Sequence, residues 1–115
     1  MIIESEIIKY LSGAVGVPVY AERPESVPER YIVIQRTAET ITDRISSATI
    51  AVQCISAISR LDAARLNQAV VAAMTNLPDD IKFRVRLNSN ADTTNTMTKE
   101  YRYTAVFLVF YNGGL

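Results

Sequence analysis

Residues 101–111 run Y-R-Y-T-A-V-F-L-V-F-Y and constrain the fold more than any other stretch of this chain. Odd positions are Tyr101, Tyr103, Ala105, Phe107, Val109 and Tyr111; even positions are Arg102, Thr104, Val106, Leu108 and Phe110. The run lacks Gly and Pro and is rich in β-branched and aromatic residues, so it reads as a strand. Successive side chains of a strand point to opposite faces. From Ala105 onward, therefore, both faces need cover. One helical layer of so short a chain covers one face of a sheet, and the other needs a further layer or another molecule. An exposed edge made of residues 105–110 would invite edge-to-edge aggregation. The expectation is a central strand, or one paired and covered within an oligomer.

Composition excludes more than it proposes. At 115 residues the chain is expected to be a single domain spanning 1–115, long enough for a real core. It has no His, no Trp and one thiol, Cys54, which removes a His general base, a His-containing zinc site and an intrachain disulfide. Twelve basic and twelve acidic residues cancel, arguing against capture of nucleic acid by the surface as a whole. No apolar run has the length of a membrane span, and Glu4 and Glu6 stand where a signal peptide would be basic. The chain reads as made in a reducing cytoplasm.

Residues 1–12 space Ile3, Ile7, Ile8 and Leu11 on one helical face, and Gly13 and Gly16 supply a stop. Residues 17–20 are a short extended piece, and 21–30, with Pro24 and Pro28, a loop. Residues 31–37 form a strand with Ile32 and Ile34 on one side and Tyr31, Val33 and Gln35 on the other. Polar residues 38–45 separate it from a second strand, 46–57, whose Ala48, Ile50, Val52 and Cys54 point inward. Ser59 with Asp62 three residues on resembles a capping box and opens a helix running to about Leu77, with Leu66, Val70, Ala73 and Leu77 toward the core. Pro78 marks its stop. Residues 81–87 alternate Ile81, Phe83, Val85 and Leu87 inward with Lys82, Arg84 and Arg86 outward, and 88–97 form a long polar loop.

Helix, hairpin, helix, hairpin predicts an α+β two-layer sandwich: a mainly antiparallel four-stranded sheet, one long helix across it, and a short amino-terminal helix. Such a domain leaves the far face of the sheet open, where Val106, Leu108 and Phe110 would meet another subunit unless the first helix folds over them.

Few motifs carry chemistry. Cys54, on the inward face and without a base, reads as a small apolar residue. Glu22, Glu25, Glu29, Asp79 and Asp80 are solvated loop charge, and no spacing recommends a metal site. The glycines form no phosphate or dinucleotide loop, and no Ser lies in a nucleophile elbow. Catalytic, metal and cofactor residues are therefore all expected to be absent. Lys82, Arg84 and Arg86 would make a row about 13 Å long, either a solvated face or a contact for phosphate or an acidic partner. The loops 37–45 and 88–97, carrying Glu39, Asp43, Arg44, Asn90 and Asp92, are either plain surface or docking loops.

In overall layout the chain resembles the tail terminator, or tail completion, proteins of long-tailed bacteriophages. The resemblance rests on the amino-terminal amphipathic helix, Val19-Tyr20 leading into the Pro-bearing loop, P-E-R-Y-I-V-I at 28–34, the strand–helix junction at 56–62 and the closing strand. The family pattern sets Pro directly before the aromatic; here Glu29 and Arg30 intervene. It implies a ring, usually hexameric, that caps the tail tube and meets the head connector, assembled in the host bacterial cytoplasm and carried in the virion. It implies no cofactor, no membrane and no sequence-specific nucleic-acid binding. Another phage neck or head-completion protein would share this size and chemistry. A small cytoplasmic α+β enzyme or ligand-binding domain is the unrelated alternative, one that a pocket of convergent polar groups would favour.

Overall fold

The computed structural model describes residues 2–42, 45–94 and 100–112. The first helix, α1 (Ile3–Val15), buries Ile3, Ile7 and Leu11 on one stripe, as their spacing requires. It runs through Gly13 and ends at Gly16, which caps it at φ 69°. That left-handed conformation costs glycine little and other residues more, so Gly16 rather than Gly13 is the stop.

Five strands follow or flank the second helix: β1 (Val19–Tyr20), β2 (Arg30–Thr42), β3 (Ile45–Ser56), β4 (Phe83–Asp92) and β5 (Tyr101–Asn112). They form one sheet in the order β1-β2-β3-β5-β4. β1 runs parallel to β2 through Val19↔Ile32 and Tyr20↔Val33, and every other neighbouring pair is antiparallel. The sheet is thus mixed and five-stranded, where the sequence pattern predicts four antiparallel strands. The fifth is a two-residue piece, below what periodicity can register.

Two polar stretches expected as loops are strand. Residues 38–42 continue β2, with Glu39↔Ala48 and Ile41↔Ser46 in register. Residues 88–92 continue β4, with Asn90↔Ala105 and Asp92↔Tyr103. Glu, Asn and Asp are weak strand formers, but a partner strand that satisfies their backbone outweighs propensity. Each extension begins at a register shift, between Arg36 and Ala38 in β2 and between Leu87 and Ser89 in β4. A bulge accommodates one extra residue and bends the strand. It also explains Leu87, expected inward but 37% exposed: it stands on the outermost strand, next to the bend.

The second helix, α2 (Arg60–Thr75), starts where Ser59 Oγ accepts the Asp62 N–H at 3.0 Å. The Asp62 carboxylate does not close a capping box. It accepts from Ser56 Oγ at 2.6 Å and pairs with Arg30 at 3.0 Å, tying the helix start to the ends of β2 and β3. The buried stripe is Ala63, Leu66, Asn67, Val70 and Met74. Leu66 and Val70 lie in the core as expected, while Ala73 and Leu77 are partly buried against it. With 13 and 16 residues the helices are of similar length, not one short and one long.

Both helices cover the same face of the sheet. Ile3, Ile7 and Leu11 join Leu66, Val70 and Met74 in one core with Ile32, Ile34, Ile50, Val52, Phe107 and Val109. Tyr10 Oη donates to the Ala73 carbonyl at 2.7 Å, and its ring meets Phe83 edge-on at 6.5 Å. β5 lies between β3 and β4, the central position its sequence demands. Since α1 packs beside α2, it does not fold over the far face.

Candidate interaction surface

β5 divides its residues as alternation requires. Ala105, Phe107 and Val109 are fully buried beneath the helices; Val106 and Leu108 are half-buried on the far face, and Phe110 is 37% exposed there. Register fixes their surroundings. Phe110 sits between Ser47 and Arg84, Leu108 between Thr49 and Arg86, and Val106 between Ala51 and Ser89. The apolar strip is therefore flanked by the small residues Ser47, Thr49 and Ala51 on one side and by Arg84, Arg86 and Ser89 on the other. Far-face positions of β2, β3, β4 and β5 include Arg84, Arg86 and Arg102 and no carboxylate.

The basic row differs from expectation. Lys82 precedes β4 and lines a cleft on the helical side. Arg84 turns back on its own chain, donating to the carbonyls of Ile81 (2.7 Å) and Phe83 (2.9 Å). What remains on the strand is a pair, Arg84 and Arg86.

The proposed docking residues are also redistributed. Asp43 and Arg44 lie outside the described residues. Glu39 belongs to β2, where it pairs with Arg36 at 2.7 Å and accepts from Tyr111 Oη at 2.8 Å. Burial, then that carboxylate, raises the Tyr111 pKa. Asn90 accepts from buried Asn67 Nδ2 at 2.8 Å. Asp92 accepts from the Thr94 hydroxyl (2.6 Å) and amide (3.0 Å), which together hold its carboxyl below the usual range, and it pairs with Arg60 at 3.3 Å. These three side chains fasten strands to neighbouring elements instead of hanging in loops.

One cluster joins residues far apart in sequence. Glu100, just before β5, accepts from Arg23 at 2.6 Å and from Tyr31 Oη at 2.7 Å. Tyr31 is 1% exposed and packs edge-on against Tyr20 at 6.2 Å. Burial, then the bond to Glu100, pushes the Tyr31 pKa up to about 12. Burial disfavours ionised Glu100, but the bonds from Tyr31 and Arg23 outweigh it and set its pKa below the ordinary value. The cluster clamps the loop before β2 to the start of β5, at the end of the far face remote from Phe110. No sequence pattern announces it, because its members are 69 and 77 residues apart.

Chemistry is sparse elsewhere. Cys54 is fully buried, and burial pushes its pKa up to about 12, opposite to what a nucleophilic thiolate needs. An open cleft of about 750 Å³ lies between α1 and the start of β4, lined by Glu6, Lys9, Tyr10, Asp80, Ile81, Lys82 and Phe83. Its charges are of both signs, and its one hydroxyl, that of Tyr10, is committed to Ala73. Among the described residues no three acidic or thiol groups gather where a metal ion could bind, and no helix is long and apolar enough to cross a membrane.

No protein-family profile matches the chain, and no curated protein matches it in sequence. In three dimensions it is similar to a chain of the virion of a native gene transfer agent particle, at a TM-score of 0.69. The two are 16% identical, over 96% of this chain and 95% of that one. The likeness is one of fold, and it extends over almost the whole of both chains.

Proposed function

We propose that this protein is a structural subunit of a phage-type virion, and within that class a tail terminator. Copies form a ring that caps the tail tube and meets the head connector, and the protein performs no catalysis of its own. The observation that carries the reading is the shared fold with a virion chain along nearly the full length of each. The open face supports it. Both helices lie on one side of the sheet, so Val106, Leu108 and Phe110 are left to whatever adjoins the subunit. A ring is built from heterologous contacts, in which one surface meets a different surface of the next copy. An apolar strip with arginines along one side suits part of such a contact better than it suits a ligand pocket. Six subunits, as in the family it resembles, is the stoichiometry proposed.

The test is Phe110→Lys. Its side chain lies outside the core, so the variant should fold with a melting temperature near that of the parent. It should lose self-association by light scattering, and in a complementation assay it should leave tails of irregular length. A folded, unassociated parent that binds no tail tubes, together with normal tails for the variant, would overturn the reading.

A further inference from the structure

The sheet ends on both sides in long strands with unpaired outer edges. β1 covers β2 only at Ile32 and Val33, and β4 is last in the order. Beyond Ile34 no described strand pairs with the outer side of β2, and none pairs with the outer side of β4, where the Phe83 carbonyl alone is taken by Arg84. The Ile32 N–H points outward, to the Pro18 carbonyl at 2.9 Å. Alternation aims the N–H groups of Ile34 and Arg36 to the same side; the register brings Ile34 to the Tyr20 carbonyl, and Arg36 lies past the end of β1. Rows of free donors and acceptors of this kind template strand addition, and proteins ordinarily blunt them with Lys or Pro. Neither residue occurs in 34–42 or in β4.

We propose that these two edges pair with each other between copies. Residues 38–42 of one subunit add antiparallel to residues 83–87 of the next, so the ring is one continuous sheet. The inference rests on the ring reading above and names its joint.

Three observations lead to it. The first is strand direction. β2, β3, β5 and β4 alternate through three antiparallel pairings, so β2 and β4 run in opposite directions. Rotation about a ring axis lying along the strands preserves direction. The β2 of a rotated copy therefore meets β4 antiparallel, and the alternation continues around the ring. The second is position. The bulges fall at Arg36/Ala38 and Leu87/Ser89, which leaves 38–42 and 83–87 as regular stretches. Both lie at the same end of the sheet, since Ile41, Ser46, Tyr111 and Phe83 share one row. The third is the side chains. Ile41 is 69% and Leu87 37% exposed, one on each edge, and both are on the helical face. Edge pairing buries each against the neighbouring subunit, continuing the core across the joint.

Ile41→Lys and Leu87→Lys test this, because each damages one edge and neither side chain lies in the core. Each variant alone should be monomeric at concentrations where the parent assembles. Mixed in equal amounts they should give heterodimers and nothing larger, since each pair retains one intact joint and the other carries both lysines. Hydrogen exchange of the parent should slow at least tenfold at 38–42 and 83–87 on assembly. If Leu87→Lys unfolds β4, Leu87→Gln replaces it and the exchange measurement stands unaided. Parent-like assembly by both variants would overturn the edge joint; if Phe110→Lys alone then dissociates the protein, the ring reading survives without it. Unchanged exchange at both segments on assembly, or a parent that closes as a two-fold dimer, also overturns the joint. A parent monomeric at every concentration overturns joint and ring together.

Discussion

Tyr31→Phe removes one hydroxyl from the clamp on Glu100 and leaves the buried ring in place, so no cavity forms. The bond lost is a 2.7 Å contact to a carboxylate. Hydrogen bonds to charged partners contribute about 1.5–3 kcal/mol. Glu100 keeps Arg23 at 2.6 Å, so it is not orphaned, and the lower end, about 1.5 kcal/mol, is expected. In a chain of this size that lowers the melting temperature by roughly 5–8 °C near pH 7. The pH dependence is the sharper signature. The folded state holds the Glu100 pKa below its ordinary value, so its contribution is present above about pH 4.3 and is lost as pH falls through the lower folded value. Tyr31→Phe takes away one cause of that depression. The gap between parent and variant should be widest from pH 5 to 8 and should narrow progressively as pH falls below about 4.3. The raised Tyr31 pKa works at the other end. Its contribution is complete below the ordinary tyrosine value near 10 and fades as pH climbs through about 12. Thermal or urea unfolding of both proteins from pH 3 to 8 measures the gap. An equal loss at pH 3 and pH 7 would refute the argument, since it would tie the effect to packing and not to the ionised carboxylate.

Val70, fully buried on α2, tolerates no charge: Val70→Asp should abolish cooperative unfolding, because a carboxylate would enter the core without a partner. Wild-type stability in that variant would mean that the helix face is misassigned. Cys54→Ala should cost about 1 kcal/mol or slightly more through lost packing and leave assembly untouched, while the parent thiol resists reagents until the protein unfolds. Failed assembly by a stably folded Cys54→Ala protein would count against a purely packing role.

The parts of the fold that show in the sequence are those with a strong internal period. The inward positions of β3, Ala48, Ile50, Val52 and Cys54, are all fully buried, and alternation alone identifies them. The cap at Ser59 and the stripe through Leu66 and Val70 follow from local rules. The centrality of β5 follows from having no polar face over its second half. What does not show is held by pairing at a distance. Glu39 and Asn90 look like loop residues because their types avoid strands, yet each lies in a ladder whose other half supplies the order. Leu87 reads as inward until the bulge beside it and the lack of a further strand are known. The candidate surface divides in the same way. Val106, Leu108 and Phe110 are legible as needing cover, whereas the Tyr31–Glu100–Arg23 clamp and the free edges are properties of topology.

The strand order has a consequence for how the protein comes to exist. β5 lies inside the sheet, between β3 and β4, yet it follows all four other strands along the chain. Until it arrives, β3 has one neighbour instead of two, β4 has none, and the helices have no complete floor on which to settle. Contacts between such distant segments form slowly, since loop closure precedes any gain from the pairing. A chain interrupted before residue 101 therefore yields neither a smaller domain nor a usable fragment. It yields two unjoined halves with Phe83 and Ile50 exposed, material for chaperones and proteases. In the ring proposed above, a defective copy would breach the whole circle. In such a ring the late interior strand would serve as an inspection step, passing only those copies that carry every strand.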